Sequence, residues 1–288
     1  MIFDEVYTLH TGKKIPKLGL GTWFIDDDKA AQAVRDAAAV GYRNFDTAQA
    51  YGNERGVGEG IRTCGIPREA LFVGSKVAAE CKSYESAAES IDETLAKMGL
   101  DYLDMMIIHS PQPWAEVNQS ENRYYAENRQ VWRALEDAYQ AGKLRGIGVS
   151  NFDESDLRNI LDGCTVKPMV NQVLAHISNT PFAVVDFCRK NDIVVEAYSP
   201  IAHGEMLKNK AVAEMAERYG VSTPQLCIRY TLQLGMVSLP KTADPEHMKS
   251  NAQLEFVIRD EDMGTLKNIR KIENYGSASC FPVYGGKL

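Results

Sequence analysis

The 288-residue sequence lacks the patterns of membrane proteins and of disulfide-rich secreted proteins. It has no run of about 18 apolar residues, so we expect no segment to span a bilayer. The first residues, MIFDEVYTLHTGKK, are not followed by the long apolar stretch and small-residue cleavage site of a secretory leader. The six cysteines form no CxxC pair, which favours reduced thiols. These absences predict a cytoplasmic protein.

The sequence also lacks an excess of positive charge. It has 32 lysines and arginines against 39 aspartates and glutamates, and its net charge is −7. A general nucleic-acid-binding surface is therefore not expected, although a local basic pocket for a phosphorylated cofactor remains compatible with this balance. The acidity indicates no partner protein, and we expect a monomer.

Several ligand-binding motifs are missing. The glycine-rich segments GLGTWF and GVGEGI lack the GxGxxG spacing and are interpreted as turns and close packing. The sequence contains no GxxxxGK[ST] segment, and its five histidines include no HExxH or HxxxH pair. A Rossmann motif, a P-loop and a metal site are therefore not predicted.

Short apolar runs alternate with helical patterns along the whole chain, which is typical of repeated β-α units around a parallel sheet. Helical patterns include residues 29–41, 84–99, 128–143, 180–192 and 221–235. The predicted strands are residues 18–22, 43–47, 71–76, 103–109, 144–150, 168–173, 193–199 and 237–241. Eight such units predict an α/β fold, a (β/α)8 TIM barrel, formed by residues 1–288 as one domain.

Three segments lie outside this alternation. Residues 6–10 and 14–18 flank Thr11-Gly12 and predict an N-terminal β-hairpin that closes the bottom of the barrel. Residues 110–129 and the tail 273–288 show no simple periodicity and are predicted to be loops. Because the first loop follows a strand, we expect substrate-selecting loops at the C-terminal face of the barrel.

Four residues lie where strand-like runs give way to polar loops: Asp46, Tyr51, Lys76 and His109. Hydride addition to a carbonyl leaves negative charge on oxygen, which a nearby acid must neutralise. A tyrosine can serve if a lysine stabilises its phenolate, while a carboxylate pairs with the lysine and an imidazole orients the carbonyl. Taken singly, each residue type is usually structural. Their grouping predicts the reduction of a carbonyl by an external hydride donor.

Three segments carry a family resemblance: GYRNFDTAQAYGNE (41–54), LEDAYQAGKLRGIGVSNF (135–152) and LPKTADPEHMKSN (239–251). They resemble the signature regions of the aldo-keto reductases, and the similarity runs from GLGTW at 19–23 to Asn251. The resemblance implies a (β/α)8 barrel that binds NADPH without a Rossmann fold. It also implies an alcohol dehydrogenase-type enzyme with Tyr51 as general acid/base, supported by Asp46, Lys76 and His109.

The resemblance also implies a set of cofactor-binding residues. Ser150, Asn151 and Gln172 can hydrogen-bond a carboxamide, and the Tyr198 ring can lie against a nicotinamide. Lys241 would supply charge to a ribose phosphate. The full predicted set is Thr22, Trp23, Ser150, Asn151, Gln172, Tyr198, Ser199, Pro200, Ile201, Lys241, Thr242, His247 and Asn251.

Two positions depart from the family pattern. His247 stands where an arginine usually grips the 2′-phosphate, and Ser250 replaces a usual glutamate. An imidazole lacks the fixed fork of a guanidinium and is mostly neutral at pH 7. We therefore expect NADPH to bind with weakened discrimination against NADH.

Aromatic residues are predicted to line the substrate pocket: Trp23, Phe24, Tyr51 and Trp114, together with His109, and with Tyr124, Tyr125, Phe281 and Tyr284 as loop contributors. Such a pocket favours small or medium aldehydes and ketones, and the short tail predicts a fairly open site. Resemblance to bacterial diketogluconate or methylglyoxal reductases implies small dicarbonyls and keto-sugar acids as substrates. Two alternatives are a nicotinamide-binding sensor with little turnover and a barrel hydrolase or isomerase without nicotinamide.

Overall fold

Eight parallel strands form the centre of the fold in the computed structural model, which describes residues 1–284. Each strand pairs with the next one along the chain, and parallel bridges from Leu18 to Ser238 and from Gly21 to Lys241 join the first strand to the last. The predicted barrel is confirmed. Its strands are β3 (Leu20–Gly21), β4 (Asn44–Asp46), β5 (Phe72–Val77), β6 (Met105–Ile108), β7 (Ile147–Ser150), β8 (Val170–Leu174), β9 (Val194–Tyr198) and β10 (Val237–Leu239).

The N-terminal hairpin lies under this barrel, as predicted. Strands β1 (Val6–Thr8) and β2 (Lys14–Pro16) pair antiparallel, and Gly12 adopts φ +85° in the turn between them. Ile15 is fully buried in a cluster with Met105 and Val237, the first residues of two barrel strands. The hairpin therefore covers the N-terminal ends of the strands and leaves the opposite face free for a site.

Helices separate the strands and cover their outer faces. Their bounds are α1 (Asp27–Val40), α2 (Glu54–Thr63), α3 (Tyr84–Met98), α4 (Tyr125–Gln140), α5 (Glu154–Leu161), α6 (Phe182–Lys190), α7 (Lys210–Arg218), α8 (Thr223–Gln233), α9 (Pro245–Asn251) and α10 (Asp260–Lys267). No helix within residues 1–284 combines the length and the apolar character needed to cross a membrane.

Two predicted loop or turn segments are helical. GVGEGI lies inside α2, so its interpretation as a turn was wrong, while that of close packing was right. A Cβ added at Gly56 would lie 2.0 Å from the Asp27 carbonyl oxygen, and one at Gly58 would lie 2.2 Å from that of Met98. The predicted loop 110–129 is also too long, because its last five residues form the first turn of α4.

The tail is folded onto the C-terminal face of the barrel. Residues Gly276–Cys280 and Pro282–Tyr284 form 3-10 turns, and Tyr275 and Tyr284 are buried. The Tyr275 hydroxyl lies 2.9 Å from Nε2 of buried His176. The part of the predicted tail loop at 285–288 lies outside the described residues.

Candidate active site

A cavity of about 780 Å³ opens at the C-terminal ends of the strands. Each predicted cofactor-binding residue lines it, as do Asp46, Tyr51, His109 and Trp114. Lys76 is fully buried and does not line the cavity itself, but its amine contacts Asp46 and Tyr51, which do. The barrel therefore brings all of the predicted site residues to one place.

The four predicted catalytic residues come from three neighbouring strands. Asp46 ends β4 and Tyr51 lies in the 3-10 turn after it, Gln49–Tyr51. Lys76 lies near the end of β5, and His109 directly follows β6, where its N–H donates to the Val77 carbonyl at 3.1 Å. The C-terminal ends of parallel strands share one rim, which explains the grouping.

Lys76 is the centre of this group. Its Nζ donates to the two carboxylate oxygens of Asp46 at 2.8 and 2.7 Å and to the Thr47 carbonyl oxygen at 2.8 Å, and it lies 3.3 Å from the Tyr51 hydroxyl. Burial alone would lower the pKa of Lys76, but Asp46 and Tyr51 together raise it above its ordinary value. The amine is therefore a charged ammonium at neutral pH.

The phenol of Tyr51 is held in its protonated form. Burial raises its pKa above the ordinary value, and the neighbouring Lys76 ammonium offsets only part of that increase. The expected stabilisation of the phenolate by Lys76 has the predicted sign, but burial outweighs it. Tyr51 thus retains a proton to give at neutral pH, while Lys76 stabilises the phenolate that remains.

His109 presents a neutral imidazole to the cavity. Burial, followed by the nearby Lys76 charge, keeps its pKa well below the ordinary value. Its ring lies edge-on to those of Tyr51 and Trp114, with centroids 5.6 and 4.9 Å away. Nδ1 is buried without a hydrogen-bond partner among the described residues. A proton on Nε2 leaves only a lone pair unsatisfied there, so we infer that Nε2–H faces the cavity.

The predicted carboxamide-binding residues form a network of their own. Asn151, at φ +61°, accepts a hydrogen bond from the Tyr198 hydroxyl at 2.7 Å. Its Nδ2 donates to the His109 carbonyl oxygen at 3.0 Å and to Ser150 Oγ at 3.1 Å. The end of β7 and the end of β9 are therefore tied to the histidine that follows β6.

Gln172 connects this region to the proton-transfer group. Its Nε2 donates to Asp46 Oδ1 at 2.9 Å and to Glu196 Oε2 at 3.0 Å. Glu196 lies beside Gln172 in the register of β8 and β9 and is buried. Burial, with a smaller contribution from Asp46, raises the pKa of Glu196 to about 7.

Polar side chains line the part of the cavity formed after β10 and by α9, which we call the far end. Lys241 is exposed, and the His247 side chain is 72% exposed with Nδ1 3.9 Å from Asp244 Oδ2. Ser250 and buried Asn251 also line this end. None of the cavity-lining residues within the described chain is an arginine. The departures noted in the sequence therefore lie in the cavity wall.

The near end of the cavity is aromatic and is partly covered by the tail. Phe281 packs edge-on against Trp23, with ring centroids 4.9 Å apart, and Pro282 and Val283 line the same wall. The expectation of a fairly open site is therefore wrong on this side. The Tyr284 hydroxyl lies 2.9 Å from Ser199 Oγ and 2.5 Å from His203 Nε2, which fixes the tail.

Two of the predicted loop aromatics lie away from the cavity. Tyr124 directs its hydroxyl to Glu116, and Tyr125 is 39% exposed with its hydroxyl 3.1 Å from Ser155 Oγ. Tyr124 directly precedes α4 and Tyr125 is its first residue, and neither lines the cavity.

A sequence profile described as the Aldo/keto reductase family matches residues 17–271. The chain belongs to this family. A glyoxal reductase of Bacillus subtilis is 37% identical over 274 residues, which is 94% of this chain and 95% of the relative. Membership makes the chain an oxidoreductase.

Solved structures agree with this assignment. An aldo/keto reductase from Brucella melitensis has a TM-score of 0.84 and 33% identity, with 91% of this chain and 98% of that one covered. An aldo-keto reductase of Bombyx mori, solved in complex with NADP, has a TM-score of 0.83 and 26% identity over 97% of this chain and 98% of that one.

Two residues of this aldo/keto reductase site that matter for its chemistry were not predicted from the sequence. His203 lines the cavity, and Glu196 contacts Gln172, whereas the predicted pocket residue Phe24 does line the cavity. Glu196 could have been found, because it lies two residues before Tyr198 on the same face of a strand. His203 adopts φ +52° at a kink between two short helical turns, and no periodicity indicates such a position.

Proposed function

We propose that this aldo/keto reductase reduces aldehydes and ketones to alcohols with NADPH, with Tyr51 as the general acid. The observation that carries the proposal is the position of the Tyr51 hydroxyl, on the cavity wall and 3.3 Å from the ammonium of Lys76. A protonated phenol beside a buried cation can give its proton to an oxygen that is becoming negative.

Each residue of the group has one task in this proposal. His109 donates Nε2–H to the carbonyl oxygen and orients it, and Tyr51 then transfers its proton to that oxygen. Lys76 stabilises the phenolate, and Asp46 keeps Lys76 charged through the pair at 2.7 Å. Ser150, Gln172 and Tyr198 would hold the nicotinamide of a bound cofactor, which would supply the hydride to the carbonyl carbon and so yield the alcohol.

The cavity fits such a cofactor. Gln172 Oε1 receives no hydrogen bond from residues 1–284, so it is available to a carboxamide N–H. Ser150 Oγ and the Tyr198 ring lie on the same wall, while Lys241 and Thr242 lie toward the far end, where a ribose phosphate would be held. The Bombyx mori relative solved with NADP supports this choice of cofactor.

We further propose that the preference for NADPH over NADH is weak. His247 is a solvent-exposed imidazole at the place where the family resemblance implies an arginine, and a single imidazole cannot form a bidentate pair with a phosphate. A kcat/KM preference above about a thousandfold, roughly 4 kcal/mol, would contradict this proposal.

The aromatic wall supports small carbonyl substrates. Trp23, Phe24, Trp114 and Phe281 surround the space next to Tyr51 and His109. The relative named glyoxal reductase supports small dicarbonyls as a class to test. A sensor with little turnover is not favoured, because the complete proton-transfer group is assembled. A hydrolase or isomerase is disfavoured by the Gln172 and Tyr198 positions.

A substrate panel tests the proposal. Aldehydes, dicarbonyls, keto acids and steroids are mixed with NADPH or NADH, and cofactor oxidation is followed at about 340 nm. Cofactor binding is measured in parallel by quenching of the protein's tryptophan and tyrosine fluorescence. Quenching without turnover on any substrate would favour the sensor, and the absence of quenching would argue against both.

We also propose a monomer in which residues 1–288 form one barrel domain. Within the described residues the ring of barrel strands is closed, so the barrel itself has no open edge to pair with another chain. The cytoplasm is the proposed location, because all six cysteines are free thiols in the described residues.

A further inference from the structure

We propose that Glu196 is a positioning residue for the nicotinamide cofactor: together with Asp46 it holds both N–H bonds of Gln172, so that the Gln172 carbonyl oxygen is presented to the cavity. The inference rests on the proposed function, since it assumes that a nicotinamide carboxamide binds there. It assigns a task to a buried carboxyl group that the proton-transfer mechanism does not use.

The geometry of the amide carries the first step. A glutamine side chain has two N–H donors on one nitrogen and a carbonyl oxygen on the other side. Gln172 Nε2 lies 2.9 Å from an oxygen of Asp46 and 3.0 Å from an oxygen of Glu196, so both donors have carboxyl acceptors. Gln172 is 1% exposed, and nothing else in residues 1–284 is needed to satisfy its nitrogen.

The two carboxyl groups also fix the direction of the amide. A half-turn of the Gln172 amide would bring its carbonyl oxygen against Oδ1 of the Asp46 carboxylate, which is repulsive whether or not Glu196 carries a proton. With both acceptors present, only one orientation is favourable, and in it Oε1 is free. Without Glu196, one N–H would lose its acceptor, and the amide could rotate about the remaining bond to Asp46.

The strand register explains why Glu196 is the residue in this place. Gln172 and Glu196 are direct partners on the adjacent parallel strands β8 and β9, so their side chains lie side by side on the inner face of the barrel. Tyr198, two residues further along β9, lies on the same face and lines the cavity. The strand that supplies the ring-stacking residue thus also supplies the amide's second acceptor.

The NADPH affinity should depend on whether the side chain at position 196 is long enough to place an acceptor oxygen beside Gln172, and not on its charge. Glu196→Gln keeps an acceptor oxygen at the same distance from Gln172, and we expect the NADPH Kd to stay within about twofold of wild type. Glu196→Leu removes the acceptor, and Glu196→Asp withdraws it by one methylene. For both we expect the Kd to rise about tenfold, the effect of one lost hydrogen bond.

The Kd is measured by NADPH quenching of intrinsic fluorescence, with folding checked by circular dichroism. Val195→Ala is the matched control: Val195 is the neighbouring residue on β9, buried in the cluster between the strands and the helices. It should lower the melting temperature without changing the Kd. If Glu196→Leu does not fold, the NADPH Kd of Glu196→Asp compared with that of Glu196→Gln is sufficient to test the proposal.

A double-mutant cycle tests whether Glu196 acts through Gln172. In a Gln172→Ala background, Glu196→Leu should weaken NADPH binding no further, because the amide that it positions is gone. An unchanged effect in that background would overturn the proposal. So would wild-type affinity in Glu196→Leu, or affinity retained by Glu196→Asp and lost by Glu196→Gln. If the wild-type protein shows no quenching by NADPH or NADH, the proposed function itself fails.

Discussion

Glu196→Gln should change how the stability of the folded protein depends on pH. Glu196 is 4% exposed, and its pKa is raised from 4.5 to about 7, first by burial and then by Asp46. Between these values the folded chain holds a proton that the unfolded chain has released. The free energy of unfolding therefore falls as pH rises through this window. The glutamine variant has no such proton and should escape that loss.

The difference follows from the two pKa values. The full change corresponds to roughly 3 kcal/mol at 1.36 kcal/mol per pKa unit, and most of it, about 2 to 3 kcal/mol, falls between pH 5 and pH 8. The stability of the variant minus that of wild type should therefore increase by this amount over that range. Titration of the surface groups is common to both proteins and cancels in the comparison.

Urea unfolding of the ligand-free proteins at pH 5 and pH 8, followed by tryptophan fluorescence, measures this difference. Glu89→Gln is the control, because the exposed Glu89 carboxyl is in water in the folded chain as well as in the unfolded one. It should follow wild type at both pH values. Parallel pH dependence of Glu196→Gln and wild type would show that Glu196 ionises as freely in the fold as in water, and would refute the reasoning.

Four further substitutions test individual roles. Tyr51→Phe should lower kcat at least about a hundredfold with little change in the NADPH Kd, and near-normal turnover would remove Tyr51 as the acid. Lys76→Met should lower kcat similarly, because it removes the cation that opposes burial in setting the Tyr51 pKa, and a kcat near wild type would contradict it. His247→Arg should raise the ratio of kcat/KM for NADPH to that for NADH about tenfold, since a guanidinium can grip a phosphate, whereas an unchanged ratio would place that phosphate elsewhere. Phe281→Ala should raise the KM of an aromatic aldehyde about fivefold through the lost ring contact, with the NADPH KM unchanged; an equal rise in both would indicate general damage.

The barrel and its site could be predicted because their signals are local. A buried parallel strand is a short apolar run, and the functional groups follow directly at its end, as for Asp46 and His109. The order of the strands around the barrel follows from the alternation of strands and helices, because each strand pairs with the next one along the chain. These features need no knowledge of which distant residues will meet.

The features that were not predicted depend on contacts between residues that are far apart in the sequence. Helix α2 carries three glycines, which lower helix propensity, and only its contacts with α1 and α3 explain them. The direction in which the Tyr51 pKa shifts depends on how deeply the ring is buried, and the residues next to it in the sequence do not indicate this burial. The path of the tail across the cavity rests on Tyr275 and Tyr284 finding partners far along the chain.

The glycine-rich face of α2 has a consequence for the position of the proposed proton donor. The turn that holds Tyr51 ends three residues before α2 begins. The position of this helix against its neighbours therefore fixes the position of the Tyr51 side chain. The Gly58 backbone rests almost directly on the Met98 carbonyl. A single methyl group at position 58, on the outer wall and away from any ligand, would wedge the helix outward and misalign the reaction centre. Substitutions at the contact between α2 and α3 should therefore lower enzyme activity even though these residues do not contact a ligand.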